Sequence, residues 1–565
     1  MNDSKNLILA VALSVLVLLG WAWFANHYFP TANPPSTKIV NGKQVPVQQP
    51  PSQPSAPAKP LRSVSAELAS GPRVAIRTPS LSGSINLKGA QIDDLLLLNQ
   101  RQAIATNSPP VRLLSPLGSP GSYIAQFGWV AEGAQAPTLD TMWTADSQEL
   151  SPGHPVTLAT QMPDGTRYQI KVGVDEGYLF SVQQIVLNGS GKPLSVRPIG
   201  LVSRGGQSPD RSMWTNHVGP IGVFDGKADY SVNWKDLDEG KAENFSNTGW
   251  LGFTDKYWLT ALVPASGTSS EFRKSPSGGY QADYASASVT VAPGQTLTSD
   301  VRLFAGVKDK SWLDRYEKAG IPLLSYAIDW GWFWFFARPI FDLLMFLFHA
   351  VGNFGLAIIC LTFIVRAIMF PVAQKQFQSM AAMRKLQPKM KAVQERFKDD
   401  KQRQQQEILK LYQEEKVNPA AGCLPILLQI PVFYALYKCL LVSVEMRHQP
   451  FILWIKDLSA PDPLTPINLF GLLHFSPPAI LAIGVLPILV GLTQFMSMKL
   501  NPQAMDPAQQ QVFAIMPWMM IFIFAPFAAG LQLYWITNNL LTIAQQYWLY
   551  RKFGLHLSDT HPVHT

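Results

Sequence analysis

Hydrophobic and polar positions follow three different rhythms along this chain. Leu7 to Phe24 is an unbroken run of 18 uncharged residues behind Lys5. That is long enough for a spanning helix or for the core of a signal sequence. Gly20-Trp21-Ala22 offers small residues for cleavage, whereas Trp21, Trp23 and Phe24 favour an uncleaved anchor over residues 1–29. From Pro30 to Pro60 nine prolines stand among Ser, Gln, Lys and Thr, a composition that buries little and predicts an extended tether. Across 62–310 short β-branched and aromatic runs are broken by Gly, Pro, Asn and Asp, which predicts an all-β sandwich able to bury its own core. Tyr168-Gln-Ile-Lys-Val172 alternates, Asp175-Glu-Gly177 supplies a turn and Leu179 to Val186 returns, while Ser288 to Val291 and Thr296 to Phe304 flank a turn at Pro293-Gly294.

Beyond 311 the period becomes helical. Trp330, Trp332, Phe333, Trp334, Phe335 and Phe336 mark the level of lipid headgroups, and Arg338 to Phe348 predicts a short helix lying along the surface, so that 311–352 is interfacial. After the break at Gly352-Asn353, apolar spans are expected at 353–373, 419–442, 479–498, 512–528 and 529–550. With the first helix this makes six transmembrane helices, five of them in a core, and a tail at 551–565. Loops are expected at 443–478 and 499–511, and a helical hairpin at 374–418. In the hairpin Met380, Met383, Leu386 and Met390 continue to Val393 and Phe397 as an apolar stripe, answered by Ile408, Leu411 and Tyr412. The stripe suits self-packing of two helices; Met-rich surfaces also suit varied apolar partners.

Composition sharpens this picture. Of 565 residues 47% are hydrophobic and 15% charged, against about 25% charged in soluble proteins, which excludes a simple soluble enzyme. The net charge, 46 − 38 = +8, gives no footprint for a specific nucleic acid, because so much of the basic charge lies in one loop. Residues 374–418 carry 11 Lys and Arg against 6 Asp and Glu, whereas 443–478 carry two basic and three acidic residues. The basic hairpin therefore belongs in the cytoplasm, an even number of spans places both termini there, and the β domain lies outside, in a periplasm where one exists. Cys360, Cys423 and Cys439 have no disulfide or zinc spacing, and no HExxH, Walker A or GxSxG pattern occurs. No metal, cofactor or catalytic set is expected, and the chain reads as a non-enzyme. Lone carboxylates such as Glu176 and Asp210 fit a solvated β surface.

One charge stands out. Arg366, in Leu361-Thr-Phe-Ile-Val-Arg-Ala-Ile-Met-Phe-Pro371, lies inside an apolar span, about 13 Å along the helix from Lys375. At that depth an unpaired cation costs a few kcal/mol unless it meets water or a partner. No acidic residue occurs in the five core spans. Either the side chain snorkels to the cytoplasmic headgroups, or it faces a wet cavity open to that side. Thr362, Gln429, Tyr534, Trp535 and Asn539 could line such a cavity, although helix-to-helix hydrogen bonding accounts for any one of them.

These stretches resemble the YidC membrane protein insertases, related to the mitochondrial Oxa and chloroplast Alb proteins. The matching blocks are Gly355 to Pro371, the basic hairpin, Asn418-Pro-Ala-Ala-Gly-Cys-Leu-Pro-Ile-Leu-Leu-Gln-Ile-Pro-Val-Phe433, Phe451 to Leu458 with Pro461-Asp-Pro463, and Gly530-Leu-Gln-Leu-Tyr-Trp-Ile-Thr-Asn-Asn539 with Gln545-Gln546. The anchor, tether and β domain are similar to the long form of bacteria with two membranes. The resemblance implies an inner-membrane insertase and chaperone with a hydrophilic groove closed outward. Arg366 would attract acidic or polar residues of an incoming tail, with Thr362, Gln429, Tyr534, Trp535 and Asn539 in the groove. Ile430 and Phe433 would form a hydrophobic slide, and the hairpin would receive substrates. Implied partners are nascent integral membrane proteins, the Sec translocon, ribosomes and targeting factors, and membrane lipid. Two features depart from relatives: a long 461–478 segment, and Pro526-Phe-Ala-Ala-Gly530 in place of a tighter turn. A small-anion transporter or channel binding its solute at Arg366 is the alternative reading. A carbohydrate-active β domain on a membrane stalk would leave the spans unexplained.

Overall fold

The computed structural model describes residues 37–40, 43–46, 61–105, 107–210, 216–275, 278–398, 400–415, 424–473, 482–500 and 507–552. The expected anchor over Leu7–Phe24 and nearly all of the 551–565 tail lie outside the described residues. Within the proline-rich segment, Thr37–Val40 and Lys43–Pro46 pair as a short antiparallel hairpin, so this part of the tether is not simply extended. Apart from residues 1–60 and 505–515, the chain forms one compact unit.

Alternating apolar residues build two large sheets in that unit. In Arg167–Val174 every second side chain is buried, and the strand pairs with Leu179–Leu187 across the turn expected at Asp175. These two strands belong to a nine-stranded sheet that also holds Trp258–Val263 and Thr296–Val307. An eleven-stranded sheet holds Tyr123–Glu132, Leu194–Arg204 and Tyr280–Ala285. The inner faces meet where Trp129 lies 5.0 Å from Tyr168 and where Gln184 Nε2 donates to the carbonyls of Gly128 and Ile199 at 2.6 and 3.1 Å. The amide oxygen of Gln184 accepts from Tyr284 Oη at 3.1 Å, so this buried polar group is satisfied from the opposing sheet. The strands on either side of Pro293-Gly294 join different sheets, Val289–Val291 pairing with Leu194–Arg204 and Thr296–Val307 with Leu179–Leu187. That turn is a crossover between layers.

Helices follow: α1 (Lys310–Lys318), α2 (Trp334–Val351), α3 (Phe354–Arg396), α4 (Lys401–Glu414), α5 (Leu424–Val442), α6 (Val485–Leu500), α7 (Pro507–Phe524) and α8 (Ala529–Lys552). Two expectations are corrected. The helix around Arg338 has 18 residues, enough by length and composition to cross a bilayer, because Pro339 falls in its second turn, where it shortens no later part of the helix. The first core span and the first arm of the hairpin are one continuous helix of 43 residues that runs through Pro371 and Pro388. Smaller shifts place the start of α6 at Val485 instead of 479, and α7 and α8 at 507–524 and 529–552 instead of 512–528 and 529–550. Gly352, in the left-handed conformation at φ 72°, ends α2, and the Asn353 side chain caps α3 by accepting from Leu356 N.

The segment after α5 is fastened across the helix ends. Carbonyls of Leu458 and Ala460 accept from Gly530 N and Ala529 N at 2.9 and 2.8 Å, satisfying donors that the first turn of α8 leaves free. Asp462, buried, accepts from Leu486 N at 2.7 Å in the first turn of α6, and from Trp454 Nε1 and Leu464 N at 3.0 Å each. Asn353 Nδ2 donates to Phe451 O at 3.2 Å at the start of α3. One end of α3, α6 and α8 is thus closed by a hydrogen-bonded strap.

Candidate functional site

The helices that carry the singled-out residues pack against each other, α8 on α6 and α3, and α2 on α3 and α5. Arg366 is half-buried on α3 and turned toward α8. Its Nε donates to Asn538 Oδ1 at 2.7 Å, and its Nη2 donates to Asn538 O at 3.2 Å and to the hydroxyl of Thr542. Asn538 and Thr542 sit four residues apart on one face of α8, one turn beyond Tyr534. All three partner atoms are neutral, so the guanidinium is oriented while its charge is left in place.

Tyr534 is fully buried, and its hydroxyl accepts from Gln429 Nε2 of α5. Trp535 Nε1 donates to Gln494 Oε1 of α6 at 3.3 Å. Asn539, buried, donates through Nδ2 to Thr493 Oγ1 at 3.2 Å, a bond that ties α8 to α6. Thr362 is buried and spends its hydroxyl on the Ile358 carbonyl of its own helix at 2.7 Å. Arg366, Gln429 and Tyr534 therefore join three helices, whereas Thr362 and Asn539 stand behind them inside the packing.

An aromatic wall adjoins these groups. Phe433 of α5 lies 5.2 Å from Trp535 and 6.2 Å from Phe524, and Phe524 lies 5.0 Å from Trp535. Ile430, one turn before Phe433, is 52% exposed. Large apolar side chains also stand exposed on α3 (Phe363, Ile368), α6 (Leu492, Met496) and α7 (Trp518, Phe522). A surface this apolar calls for a nonpolar solvent or partner.

In the hairpin, Leu386 and Met390 are buried. Tyr412 Oη of α4 approaches Met390 Sδ at 3.5 Å, Gln404 Nε2 donates to Gln394 O at 2.8 Å, and Lys389 pairs with Glu415. The two arms pack on each other here. The side chains of Met380 and Met383 lie outside the described residues. Among the described residues no group of three or more His, Cys, Asp or Glu side chains is placed to hold a metal.

Sequence reasoning missed Asn538, Thr542, Thr493 and Gln494, and passed over Lys438, a second cation in a span. Lys438 is almost wholly buried on α5, and its Nζ lies 3.2 Å from Asp329 Oδ2 in the segment before α2. The helical period from Tyr534 through Asn538 to Thr542 was the available signal for the first two.

Two families match the chain: residues 346–555 match the 60Kd inner membrane protein and residues 73–343 the YidC periplasmic domain. The chain is 46% identical to the membrane protein insertase YidC of Zymomonas mobilis over 97% of its length and 95% of that relative. It is 41% identical to the protein of the same name from Methylorubrum extorquens, covering 98% of this chain and 96% of the relative. A solved YidC insertase aligns over 86% of this chain and 96% of its own with 19% identity and a TM-score of 0.37, a likeness too loose to add weight. None of these relatives is named as an anion transporter or channel, and that alternative is left without support.

Proposed function

We propose that this chain, which belongs to the YidC family of membrane protein insertases, inserts nascent membrane proteins by drawing their polar tails toward Arg366. It is an inner-membrane protein with a β-rich periplasmic domain and a helical C-terminal region, and an insertase, not an enzyme. The observation that carries the mechanism is the set of neutral partners around the Arg366 guanidinium. A charge in the bilayer centre costs about 2.5–3.5 kcal/mol on insertion scales. A carboxylate meeting an oriented, uncompensated guanidinium recovers part of that cost. Partition of the apolar segment supplies the drive, aided by a membrane potential worth about 2.3 kcal/mol per charge per 100 mV for acidic residues moving outward. No nucleotide is required.

Gln429 and Trp535 line the same groove in this reading, with Thr362, Tyr534 and Asn539 holding its wall, and Ile430 and Phe433 guide the apolar segment along α5. The topology that goes with it has six spans, with α2 interfacial despite its length because Arg338, Asp342 and His349 interrupt its surface. The β domain, folded as a sandwich, and the 443–478 strap lie outside, and the hairpin and C-terminus lie in the cytoplasm, where ribosomes and targeting factors would meet the hairpin. The Sec translocon is the proposed neighbour for larger substrates.

Reconstitution of the pure chain into liposomes, with a single-span substrate carrying one acidic residue in its N-terminal tail, tests this by protease protection. Wild type and Arg366→Lys should protect the tail, and Arg366→Ala should lose about tenfold, the equivalent of about 1.4 kcal/mol. Equal protection by all three would remove Arg366 from the mechanism.

A further inference from the structure

A cavity of about 620 Å³ opens where the β domain, the segment before α2 and the end of α5 meet. Its walls are aromatic, with Tyr230, Tyr326, Phe333, Trp334 and Tyr434 in the lining together with Trp332, which is 90% exposed. At its base Asp329 receives Lys438 Nζ and His217 N on Oδ2, at 3.2 and 3.1 Å, and Gly331 N on Oδ1 at 2.9 Å. A carboxylate has about four acceptor positions, so among the described residues one is left for a further donor, and the Asp329 side chain is 23% exposed. Burial holds the His217 imidazole below its usual range, which keeps it neutral. Asp329 and Lys438 cancel as a pair at the base, while the Arg338 guanidinium, 4.6 Å over the Tyr326 ring and 5.8 Å over the Trp334 ring, is a cation already set beside the walls. Gly331, at φ 71°, is what lets Tyr434 close the wall, since a Cβ there would lie 2.3 Å from Tyr434 Oη.

We infer that this cavity binds the headgroup of a zwitterionic phospholipid of the outer leaflet, its primary ammonium set among the aromatic faces and donating to Asp329. Three features select that chemistry. The rings of Tyr230, Phe333 and Tyr434 add aromatic faces that attract a cation. A zwitterion finds a partner for each of its charges, the Asp329 carboxylate for the ammonium and the Arg338 guanidinium for the phosphate, whereas a headgroup that is only anionic leaves Asp329 unused. Exposed Phe335 and Phe336 follow the lining residues Trp332 to Trp334 directly in the chain at the start of α2, an aromatic belt of the kind that marks the membrane interface, so acyl chains can stay in lipid while the headgroup turns inward. The inference rests on the proposed outward placement of this end of the helices, but its test is independent of insertion.

Purified, delipidated full-length chain in detergent, titrated with short-chain phosphatidylethanolamine or phosphatidylglycerol and read by native mass spectrometry, decides the matter. The expected result is one tightly held phosphatidylethanolamine, at least about fivefold preferred, with Trp332→Ala reducing its retention about fivefold. Trp332 is exposed, so its removal leaves the fold intact. Asp329→Asn should erase the preference between the two lipids. Unchanged retention by Arg366→Ala separates this site from the groove, and free phosphoethanolamine should compete poorly. Equal retention of both lipids, wild-type retention by Trp332→Ala, or full displacement by free phosphoethanolamine would overturn the inference.

Discussion

Arg366 is held by an amide and a hydroxyl instead of a carboxylate, and this choice of partner decides what the side chain can do. A buried ion pair would fix the same geometry while cancelling the field, whereas Asn538 and Thr542 fix it and leave the charge for an incoming group. Asn538→Asp is therefore the informative substitution. It should preserve the position of Arg366 yet lower insertion of an acidic-tailed substrate at least as far as Arg366→Ala, about tenfold, measured by the same protease protection; wild-type insertion by Asn538→Asp would show that the free charge is not used. At this scale the sequence was informative about Arg366 itself, because an Arg in an apolar run is conspicuous wherever it packs. Its partners were not legible, because a neutral Asn or Thr in a helix carries no signal until the facing helix is known. Asn539 drew notice ahead of its neighbour, yet the helical period puts Asn538 on the face with Tyr534, and Asn539 points to Thr493.

At the scale of elements, punctuation residues were the main source of misreading. The first core span was expected to end at 373, just past Pro371, with a separate hairpin beginning at 374, but α3 runs on to Arg396. A proline costs its helix one hydrogen bond and a local bend, and neighbouring groups in a helical bundle can absorb that. The consequence is mechanical, since the helix carrying Arg366 also forms the first arm of the hairpin. Turn residues were read correctly as turns at Asp175 and at Pro293-Gly294, but a turn does not say which sheet the next strand will join. The strap over the helix ends had no periodic signal at all, because it is held by backbone carbonyls and by Asp462. It makes a definite demand on Gly355, where an added Cβ would lie 2.0 to 2.6 Å from the ring of Phe451. Gly355→Ala should cost about 1–3 kcal/mol by overpacking, seen as a lower midpoint in thermal unfolding of the detergent-solubilised chain. An unchanged midpoint would mean that the strap is loosely seated.

Across the whole molecule, the β-rich domain and the helical region are joined by polar contacts near the end of α5, and the sequence could not reveal them, since each pairs residues far apart in the chain. Arg447 Nη1 donates to Arg101 O at 2.7 Å, and Glu445 Oε1 accepts from Lys310 N at 3.0 Å in the first turn of α1. Glu445 is the titratable member of this junction. Burial, with the nearby charge of Asp309, raises its carboxyl from the ordinary 4.5 to about 7, and its Oε2 is buried without a hydrogen-bond partner among the described residues. The folded chain therefore keeps a proton that the unfolded chain releases between about pH 4.5 and 7. Folding stability should fall as pH rises through that window, and the full penalty, up to about 3 kcal/mol, applies above it. Glu445→Gln keeps an acceptor for Lys310 N and cannot ionise. Its unfolding midpoint should match wild type near pH 4 and lie several degrees above it at pH 8, with the gap opening between those values. A constant offset at all pH values would assign Glu445 a packing role without titration. A gap that opens as expected would make this junction sensitive to the acidity of the periplasm, near the end of α5.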